Sequence, residues 1–326
     1  MLVNNKNFNH LKVHTQYSIC EGAIKIDELA DFCKLKKIKS LGLSDSYNLC
    51  GALEFSEKIS KVGTQPIIGT QINLNILNIF GKISLYATSE TGYKNLTKLS
   101  SKSYLKNDGI TEPSCNLEDL RENSEDLVLL TGNYKNFFGQ LFYKNKLKDF
   151  EQILNSLKNS FKDRLYIEIQ RHNEHQEKNF ENYLLNISKS LNLPLIATQE
   201  IFYLNENMYE AHDALVCIGE KTFVDDKNRF RYSNQHYLKS QEELEKLYSD
   251  IPEALENNYN FHLRFNFKPK KSKPILPSIA NKETSSPEEE LSILAKKGLE
   301  NRLESFILKK KIIKSKDQII EIYKDR

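Results

Sequence analysis

The sequence has few cysteines, no tryptophan, almost no net charge and no long apolar run. Its five cysteines are odd in number, widely spaced and free of any C-x-x-C pair, which argues against both a disulfide framework and a zinc cluster built on cysteine. No stretch approaches about 18 consecutive apolar residues, and the polar, Asn-rich N-terminus has no apolar signal segment. We therefore expect a cytoplasmic protein without a membrane span.

Charges of the two signs are nearly balanced, with 47 Lys and Arg against 44 Asp and Glu and a net charge of +3. So small a charge over 326 residues produces no strong field. Bulk electrostatics therefore give no reason to expect nucleic-acid binding, although a local basic patch can still provide it. Charged residues make up 28% of the chain beside 17 Phe and 16 Tyr, which is typical of a globular protein of roughly two domains.

Seven short apolar runs, separated by stretches of helical periodicity, predict seven strands that alternate with helices. The runs are residues 11–13, 40–43, 66–74, 83–87, 127–130, 165–169 and 195–197. This alternation predicts parallel βαβ units, and both a doubly wound sheet and a TIM-like barrel fit it. In a barrel, chemistry lies at the carboxyl ends of the strands, so the residues after each run are the first site candidates. They are His14, Asp45, Gln71, residues 170–172 and residues 199–202.

The pattern changes towards the carboxyl end of the sequence. Helices are predicted at residues 241–248, where Ser240 suits the N-cap, and at residues 252–265. Residues 268–277, KPKKSKPILP, are basic and interrupted by proline, which is typical of an extended connection between domains. A further helix is predicted over residues 287–308, because Pro and acidic residues occupy its first turn.

Two clusters of lysine stand out in a chain with so little net charge. The first lies in the basic connection and is interpreted either as a solvated linker or as a set of contacts to DNA phosphates. Its members are Lys268, Lys270, Lys271 and Lys273. The second follows the first predicted helix, where cations suit the negative end of the helix dipole and are usually solvated. Its members are Lys34, Lys36, Lys37 and Lys39.

Five sequence motifs follow one another along nearly the whole chain. The longest lies in residues 8–74 and contains FNHLKVHTQYSICEGAIKIDELADF, SLGLSDSYNLCGALEF and QPIIGTQINL. After it come GYKNL at 92–96, YIEIQRH at 166–172, LIATQEIFY at 195–203 and AHDAL at 211–215. In this order the motifs resemble the N-terminal PHP (polymerase and histidinol phosphatase) domain of the bacterial replicative DNA polymerase III α subunits.

The resemblance implies a distorted seven-stranded, TIM-like βα barrel with a helical extension in residues 1–270, a linker in 271–286 and the start of the polymerase palm in 287–326. The catalytic part of such a palm uses a Gly-rich phosphate-binding loop and an Asp-x-Asp-type pair for two-metal catalysis with Mg2+. The sequence contains neither, since Asp225 and Asp226 are adjacent. We therefore expect a truncated piece of a longer polymerase that cannot extend a primer on its own.

The resemblance also implies a site, because metal-binding members of the family carry ligands after successive strands. They have an H-x-H pair after the first strand, an acid downstream, an Asp-His after the second strand, a Glu after the third and a D-x-H near the last. The matching positions here are Lys12 and His14, Glu21, Asp45 followed by Ser46, Gln71, and Glu200 with Phe202. Of these imidazoles only His14 remains, so the resemblance implies a metal site that has lost most of its ligands.

Lys12 is the residue that argues most directly against a metal ion at this site. A catalytic zinc-type site needs about three protein ligands with free lone pairs, and a protonated lysine has none to offer. Lys12 would instead place a cation where relatives hold a metal ion, and we predict that it pairs with Glu21, Asp45 or Glu200. We expect no metal or other cofactor in this chain; any residual ion would be held by His14 and the same three acids.

The same residues also have structural interpretations. His14 fits a hydrogen-bonded histidine at a strand end, Asp45 a cap for the following turn, and Glu200 a salt-bridge partner. The RHNEH segment resembles a short metal motif, but no third ligand can be assigned to it. We therefore expect His172 and His175 to lie in a solvated loop.

Three functions are compatible with these residues. The first is a non-catalytic platform within a replicative DNA-directed DNA polymerase, a nucleotidyltransferase. The resemblance suggests that a separate proofreading exonuclease subunit docks on this platform and that DNA is bound through the full-length protein. The second is a metal-dependent PHP phosphoesterase or 3′–5′ exonuclease with an altered site. The third is a stand-alone DNA-binding protein, for which the small net charge is weak support.

Overall fold

A computed structural model describes residues 6–105, 112–274, 286–303, 305 and 316–325 of the protein. The chain divides into two units, Met1–Lys271 and Ser272–Arg326. Every strand found among the described residues belongs to the first unit. Most of the linker predicted at 271–286 lies outside the described residues.

All seven predicted strands are present, and two short strands accompany them. The strands are β1 His10–Val13, β2 Ser40–Ser46, β3 Gln65–Ile76, β4 Ile79–Ala87, β5 Ser114–Cys115, β6 Leu127–Leu130, β7 Leu165–Gln170, β8 Leu195–Thr198 and β9 Glu200–Ile201. The additional strands are β5, which pairs with β3, and β9, which pairs with β1. Both contain only two residues, too few for a periodic pattern to predict.

The sheet returns on itself as a nearly closed barrel. Its strand order is β8-β7-β6-β4-β3-β2-β1-β9. Only Gln199 separates β8 from β9, so the two are counted as one interrupted strand. Its first part, β8, pairs with β7, and its second part, β9, pairs with β1. Counted in this way the barrel has seven strands, which confirms the distorted seven-stranded, TIM-like α/β fold and excludes the doubly wound sheet.

The distortion is the orientation of β4, which runs antiparallel to both β3 and β6. The prediction of uniformly parallel βαβ units is therefore wrong at this strand. The reason is a two-residue turn between β3 and β4, in which Leu77 and Asn78 both adopt positive φ, 55° and 58°. A turn of this kind matches the twist of a tight antiparallel hairpin, so no crossover helix follows β3.

Leu77 is strained in this turn, because a left-handed backbone costs a residue other than Gly or Asn about 1 kcal/mol or more. Its side chain is half exposed and contributes little packing. We expect Leu77→Asn to raise the free energy of unfolding by about 0.5–1 kcal/mol, as measured by urea denaturation. Leu263→Asn, at an exposed leucine without positive φ, is the control. An equal gain in both variants would contradict the explanation by backbone strain.

Helices cover the outside of the barrel and close one of its ends. In the first unit they are α1 Ile26–Lys36, α2 Ala52–Lys61, α3 Glu90–Leu105, α4 Leu117–Glu122, α5 Phe137–Tyr143, α6 Leu147–Phe161, α7 Glu177–Leu191, α8 Tyr209–Glu220, α9 Gln241–Leu247 and α10 Pro252–Phe261. The helices predicted at 241–248 and 252–265 are confirmed. Ser240 caps α9 and forms a capping box with Glu243, as its sequence suggests.

The second unit contains two described helices, α11 Pro287–Arg302 and α12 Lys316–Lys324. Ser286 caps α11 by accepting a hydrogen bond from the backbone N–H of Glu289, and Pro287 occupies the first turn. The helix predicted from residue 287 is therefore present. Residues 304 and 306–308 of that prediction lie outside the described residues.

Apolar side chains fill one half of the barrel interior. Tyr86, Tyr166 and Ile196 pack there against Phe261 of α10. Leu11 of β1 belongs to the same cluster, and a shift of register between His10 and Val13 disturbs the alternation of β1 at this point. Irregularities of this kind redirect side chains and are frequent beside functional sites. Here Lys12, next in the chain, is also fully buried and reaches a carboxylate of β7.

Candidate functional site

Lys12 lies at the centre of the polar cluster in the barrel. Its Nζ is 3.4 Å from Oε1 of Glu168 and 3.5 Å from Oε1 of Glu200, and the side chains of Lys12 and Glu168 are both 0% exposed. Of the three partners predicted for Lys12, the structure brings only Glu200 to it. The three acids were predicted as alternatives, and Glu200 is the one found; Glu21 and Asp45 have other partners.

The carboxylate of Glu200 accepts from several N–H groups. His14 Nε2 lies 3.1 Å from Oε1, Gln71 Nε2 donates to Oε1 at 2.6 Å, and Asn133 Nδ2 donates to Oε2 at 3.2 Å. Burial alone would raise the pKa of Glu200. The charge of Lys12 and the hydrogen bonds from His14 and Gln71 outweigh it and hold the pKa well below its ordinary value.

Glu168 is satisfied in a similar way, although sequence reasoning missed it. Its carboxylate accepts from the backbone N–H of Gly132 at 2.8 Å, from Gln170 Nε2 at 2.7 Å and from the hydroxyl of Thr198. The sequence did contain a signal, because neighbouring side chains of a strand point to opposite faces of the sheet. Glu168 lies between Ile167 and Ile169 in a strand that is buried throughout, so its side chain points to the opposite face, into the barrel.

Asp45 braces the loop that follows β1. Its Oδ1 accepts from the backbone N–H of Thr15 at 2.6 Å and from the hydroxyl of Ser18 at 2.7 Å, and its Oδ2 accepts from the hydroxyl of Thr15 at 2.8 Å. Burial raises the pKa of Asp45, and these hydrogen bonds oppose the rise only in part. Ser18 Oγ also lies 3.2 Å from His14 Nδ1, so Asp45 positions His14 indirectly.

Glu21 lies at the rim of the barrel and pairs with a lysine that sequence reasoning did not identify. Lys82 Nζ donates to Glu21 Oε1 at 2.6 Å and to Ser46 Oγ at 3.0 Å. Burial alone would raise the pKa of Glu21, but the charge of Lys82 and the hydrogen bonds from Lys82 and Ser46 lower it. Ser46 thus belongs to an ion-pair network.

Two buried histidines flank Glu200. The rings of His172 and His236 are stacked, with centroids 4.0 Å apart. His172 Nε2 accepts from the backbone N–H of Glu200 at 3.2 Å, and His236 Nδ1 lies 3.1 Å from the Glu200 carbonyl oxygen. Burial lowers the pKa of His172 to about 3 and, with the neighbouring His172, that of His236 to about 4.

The prediction for His172 is therefore wrong: its side chain is 1% exposed and does not lie in a solvated loop. Its backbone N–H and its Nδ1 both contact the carboxylate of Glu177, which draws the ring inward. His175 is exposed, as expected. His236 carries no local sequence signal, because it follows β9 by more than 30 residues and reaches the site only through the path of the chain.

Phe202 forms one wall of a cavity of about 570 Å3 beside Glu200 and His236. Its ring centroid is 4.6 Å from that of His14 and 4.5 Å from that of Tyr232. Phe202 therefore supplies aromatic contacts to His14 and Tyr232.

This donor set does not fit a metal centre built on the predicted positions. The lone pairs of Glu200 face an ammonium and two amide nitrogens, and a divalent ion placed among them would lie beside the permanent cation of Lys12. Gln71 Nε2 also lies 3.3 Å from His14 Nε2, where a metal ligand would need open space. Among the described residues, no group of three or more His, Cys, Asp or Glu side chains is arranged to hold a metal ion.

Of the lysines considered as DNA contacts, Lys268, Lys270 and Lys271 belong to the first unit and Lys273 to the second. Lys268, Lys270, Lys271 and Lys273 are all exposed. Lys271 Nζ pairs with Glu57 at 3.1 Å. Lys268 lines a groove together with Lys39, at the end of the barrel where β2 and β3 begin. In the described part of the chain, no helix is both long and apolar enough to cross a membrane.

Sequence comparison with known proteins shows which family the chain belongs to. A family model described as the PHP domain matches residues 10–172. The DNA polymerase III subunit alpha of Caulobacter vibrioides is 36% identical over 313 residues, which cover 93% of this chain and 27% of the relative. The subunit of the same name from Rickettsia bellii is 34% identical over 279 residues, covering 85% and 24%.

Among solved structures, a protein from Bifidobacterium adolescentis described as a metal-dependent phosphoesterase is similar with a TM-score of 0.44 and 13% identity, covering 59% of this chain and 86% of its own. The chain spans about a quarter of the length of the polymerase subunits it matches. With a family match over half of its residues and homology to these subunits over most of its length, the chain belongs to the PHP-domain family, in the form found in DNA polymerase III α subunits.

Proposed function

We propose that this chain is the N-terminal module of a replicative DNA polymerase III α subunit and that its PHP domain is a structural platform, not a hydrolase. The observation that carries the proposal is the ammonium of Lys12, buried within 3.5 Å of both Glu168 and Glu200. A lysine at this position supplies the positive charge that a metal ion would otherwise supply.

A lysine in place of a metal ion can balance the charges of Glu168 and Glu200 when neutral hydrogen-bond donors assist it. Two buried carboxylates cannot both remain ionised without compensation, and one ammonium offers a single positive charge with three N–H donors. The remaining negative charge is spread over neutral donors, including Gln71 and Asn133 at Glu200 and the backbone N–H of Gly132 at Glu168. Lys12 stabilises the two buried carboxylates, but an ammonium is not a Lewis acid and cannot activate water or a phosphoryl group as a metal ion does.

The rest of the proposal follows from the polymerase relatives. We place the start of the palm at residue 287 and the Mg2+-dependent nucleotidyl transfer in parts of the polymerase beyond the palm's opening helices. The chain by itself would then be inactive. Its partners would be the remainder of the polymerase, DNA through the full-length protein, and a proofreading exonuclease subunit docked on the barrel, all in the cytoplasm.

A second candidate is a metal-dependent PHP phosphoesterase or 3′–5′ exonuclease with an altered set of ligands. One observation favours it: three imidazoles, those of His14, His172 and His236, surround Glu200 beside an open cavity. Neutral imidazoles are good ligands for zinc and manganese. Lys12 opposes this candidate, because an ion bound to Glu200 would have to displace its ammonium.

Metal content and hydrolysis decide between these two functions. We expect the purified chain to hold less than one divalent ion per molecule after incubation with Zn2+ or Mn2+, and to release no product from a phosphomonoester or from 3′-labelled DNA. The reason is that Glu200 already accepts hydrogen bonds from the amides of Gln71 and Asn133 and is paired with the Lys12 ammonium. The measurements are elemental analysis of the dialysed protein and a timed hydrolysis assay.

The matched control is Lys12→His with Gln71→Glu and Phe202→His, which restores ligand types at three positions. This variant should bind a divalent ion more tightly than the original chain, because the cation is gone and two imidazoles and a carboxylate are added. If the original chain instead binds stoichiometric metal and hydrolyses a substrate, and if His14→Ala abolishes that hydrolysis, the hydrolase is the correct function and the platform proposal is wrong.

A further inference from the structure

A groove of about 400 Å3 opens at the end of the barrel where the parallel strands β2 and β3 begin, opposite the end occupied by His14. Lys39 and Lys268 both line this groove. None of the described residues that line it is acidic. The polar remainder of its lining consists of Ser60, Thr64, Gln65 and Asn266.

Hydrogen bonds hold two distant parts of the chain together at this groove. The backbone N–H of Gln65 donates to the Lys39 carbonyl at 2.7 Å, and Gln65 Nε2 donates to the carbonyls of His262 at 3.1 Å and Phe265 at 2.8 Å. Ser56 Oγ donates to the Pro269 carbonyl at 3.0 Å. The segment that carries Lys268 is thereby fixed beside the segment that carries Lys39.

A second groove, of about 480 Å3, adjoins the first and shares Lys39 with it. Its lining includes three other lysines, Lys36, Lys37 and Lys239, and three glutamates. One of these, Glu243, is already engaged by the hydroxyl of Tyr237 and the backbone N–H of Ser240. The remaining acids are Glu206 and Glu242. The lining of the second groove thus carries four lysines and three glutamates, and three of the lysines, Lys36, Lys37 and Lys39, are close together in sequence.

The lysines around the first groove have no acidic partners to neutralise them. Within the described ranges, no carboxylate lies within 4.0 Å of the ammonium of any of the five exposed lysines concerned, whereas neighbouring Lys271 pairs with Glu57. The five are Lys36, Lys37, Lys39, Lys268 and Lys270. Four of them, Lys36, Lys37, Lys39 and Lys268, line the two grooves, and Lys270 follows Lys268 by two residues. Such a group of exposed lysines without carboxylate partners stands out in a chain whose net charge is only +3.

We infer that this face, defined by Lys36, Lys37, Lys39, Lys268 and Lys270, binds the phosphodiester backbone of DNA. Lysine ammonium groups on flexible stems suit phosphate oxygens, and no arginine is among the described residues that line the two grooves, so we expect the contact to be with the backbone and largely independent of sequence. The inference rests on the proposed function, because a polymerase module works beside DNA. It adds a contact at the end of the barrel opposite the PHP site.

The test is the salt dependence of DNA affinity, measured by fluorescence anisotropy with this chain and labelled duplex or single-stranded DNA. Between about 50 and 200 mM salt, log K should fall linearly with log salt concentration, by about 0.9 per contacted phosphate for duplex and about 0.7 for single strands. Lys39→Gln with Lys268→Gln should reduce the slope by about two contacts and weaken binding about tenfold at the lower salt concentration. Duplex and single-stranded DNA are titrated separately, because the expected slope per contacted phosphate differs between them.

The control is Lys144→Gln with Lys148→Gln, which removes the same charge at two exposed lysines that have no ion pair among the described residues. Thermal unfolding should be alike for all three proteins. No measurable DNA binding, an unchanged slope in the first variant, or an equal loss in the control would each overturn the inference, as would lysine-dependent binding of poly-glutamate in place of DNA. Metal analysis is independent of this assay, so a failure here leaves the platform proposal intact.

Discussion

Replacing Lys12 by Met is expected to lower the free energy of unfolding by about 3–5 kcal/mol, because it leaves two buried carboxylates without their cation. Methionine has a similar length and fills the same space, so little of the loss would come from packing. Lys12 and Glu168 are both fully buried, and solvent cannot compensate either charge. Urea denaturation of the original chain and the variant, monitored by circular dichroism, provides the measurement.

Two further variants separate the charge effect from other causes. Lys94→Met removes the exposed ion pair with Glu90 and should change stability little, because water screens that pair. Lys12→Met with Glu168→Gln removes one of the two uncompensated charges and should recover part of the loss. A loss below about 1 kcal/mol in the single variant would mean that the acids do not depend on Lys12.

Acidification is the second strong prediction, because the barrel buries neutral histidines. The pKa of His172 is lowered to about 3 and that of His236 to about 4, from an ordinary value of 6.5. The unfolded chain therefore binds protons below pH 6.5 that the folded chain does not bind. Stability contributed by the neutral rings is complete above pH 6.5 and is lost as the pH falls towards 4, by up to about 1.4 kcal/mol per pH unit for each ring.

His10 adds to this effect, since burial and nearby Lys239 lower its pKa to about 4. Protonation of Glu200 also lowers stability, but at a lower pH than protonation of the histidines. The stability that its ionised form contributes is complete above its ordinary pKa of 4.5 and is lost at more acid pH. The raised pKa values of Asp45 and Glu177 oppose the trend at the acid end. The net expectation is a steep fall in stability between pH 6.5 and about 5.

The measurement is the free energy of unfolding at several pH values between about 5 and 8. His236→Phe should reduce the slope below pH 6.5 by about the share of one group, because the ring is replaced by one that cannot bind a proton. His175→Asn, at an exposed position, should leave the slope unchanged. A slope that is the same in all three proteins would show that the buried rings are not the source.

The fold could be predicted from the sequence to a large extent, because burial imposes regular patterns on the strands. Each of the seven apolar runs became a strand, and Ser240 caps α9 as its spacing with Glu243 indicates. The antiparallel direction of β4 could not be predicted, since it depends on the left-handed backbone of Leu77 and Asn78, and this pair is not a familiar hairpin turn.

The site could be predicted in part. Resemblance to a known family located Lys12, His14, Gln71 and Glu200, and the structure brings these four together. The partners of the remaining acids were not predictable, because a lysine can reach several carboxylates and the choice depends on strand geometry. His236 was missed for a simpler reason: nothing near it in sequence distinguishes it from an ordinary loop residue.

By itself, the sequence determined the strands, the caps and the types of residue present at the family's ligand positions, because these depend on local periodicity and side-chain chemistry. Only the tertiary structure decided which charges meet. Closure of the barrel brings Lys12 to Glu168, more than 150 residues away, and places Lys39 beside Lys268. An ion pair forms only when its two charges come within about 4 Å of each other, so residue spacing along the chain cannot reveal such pairs until the strands that carry them are aligned.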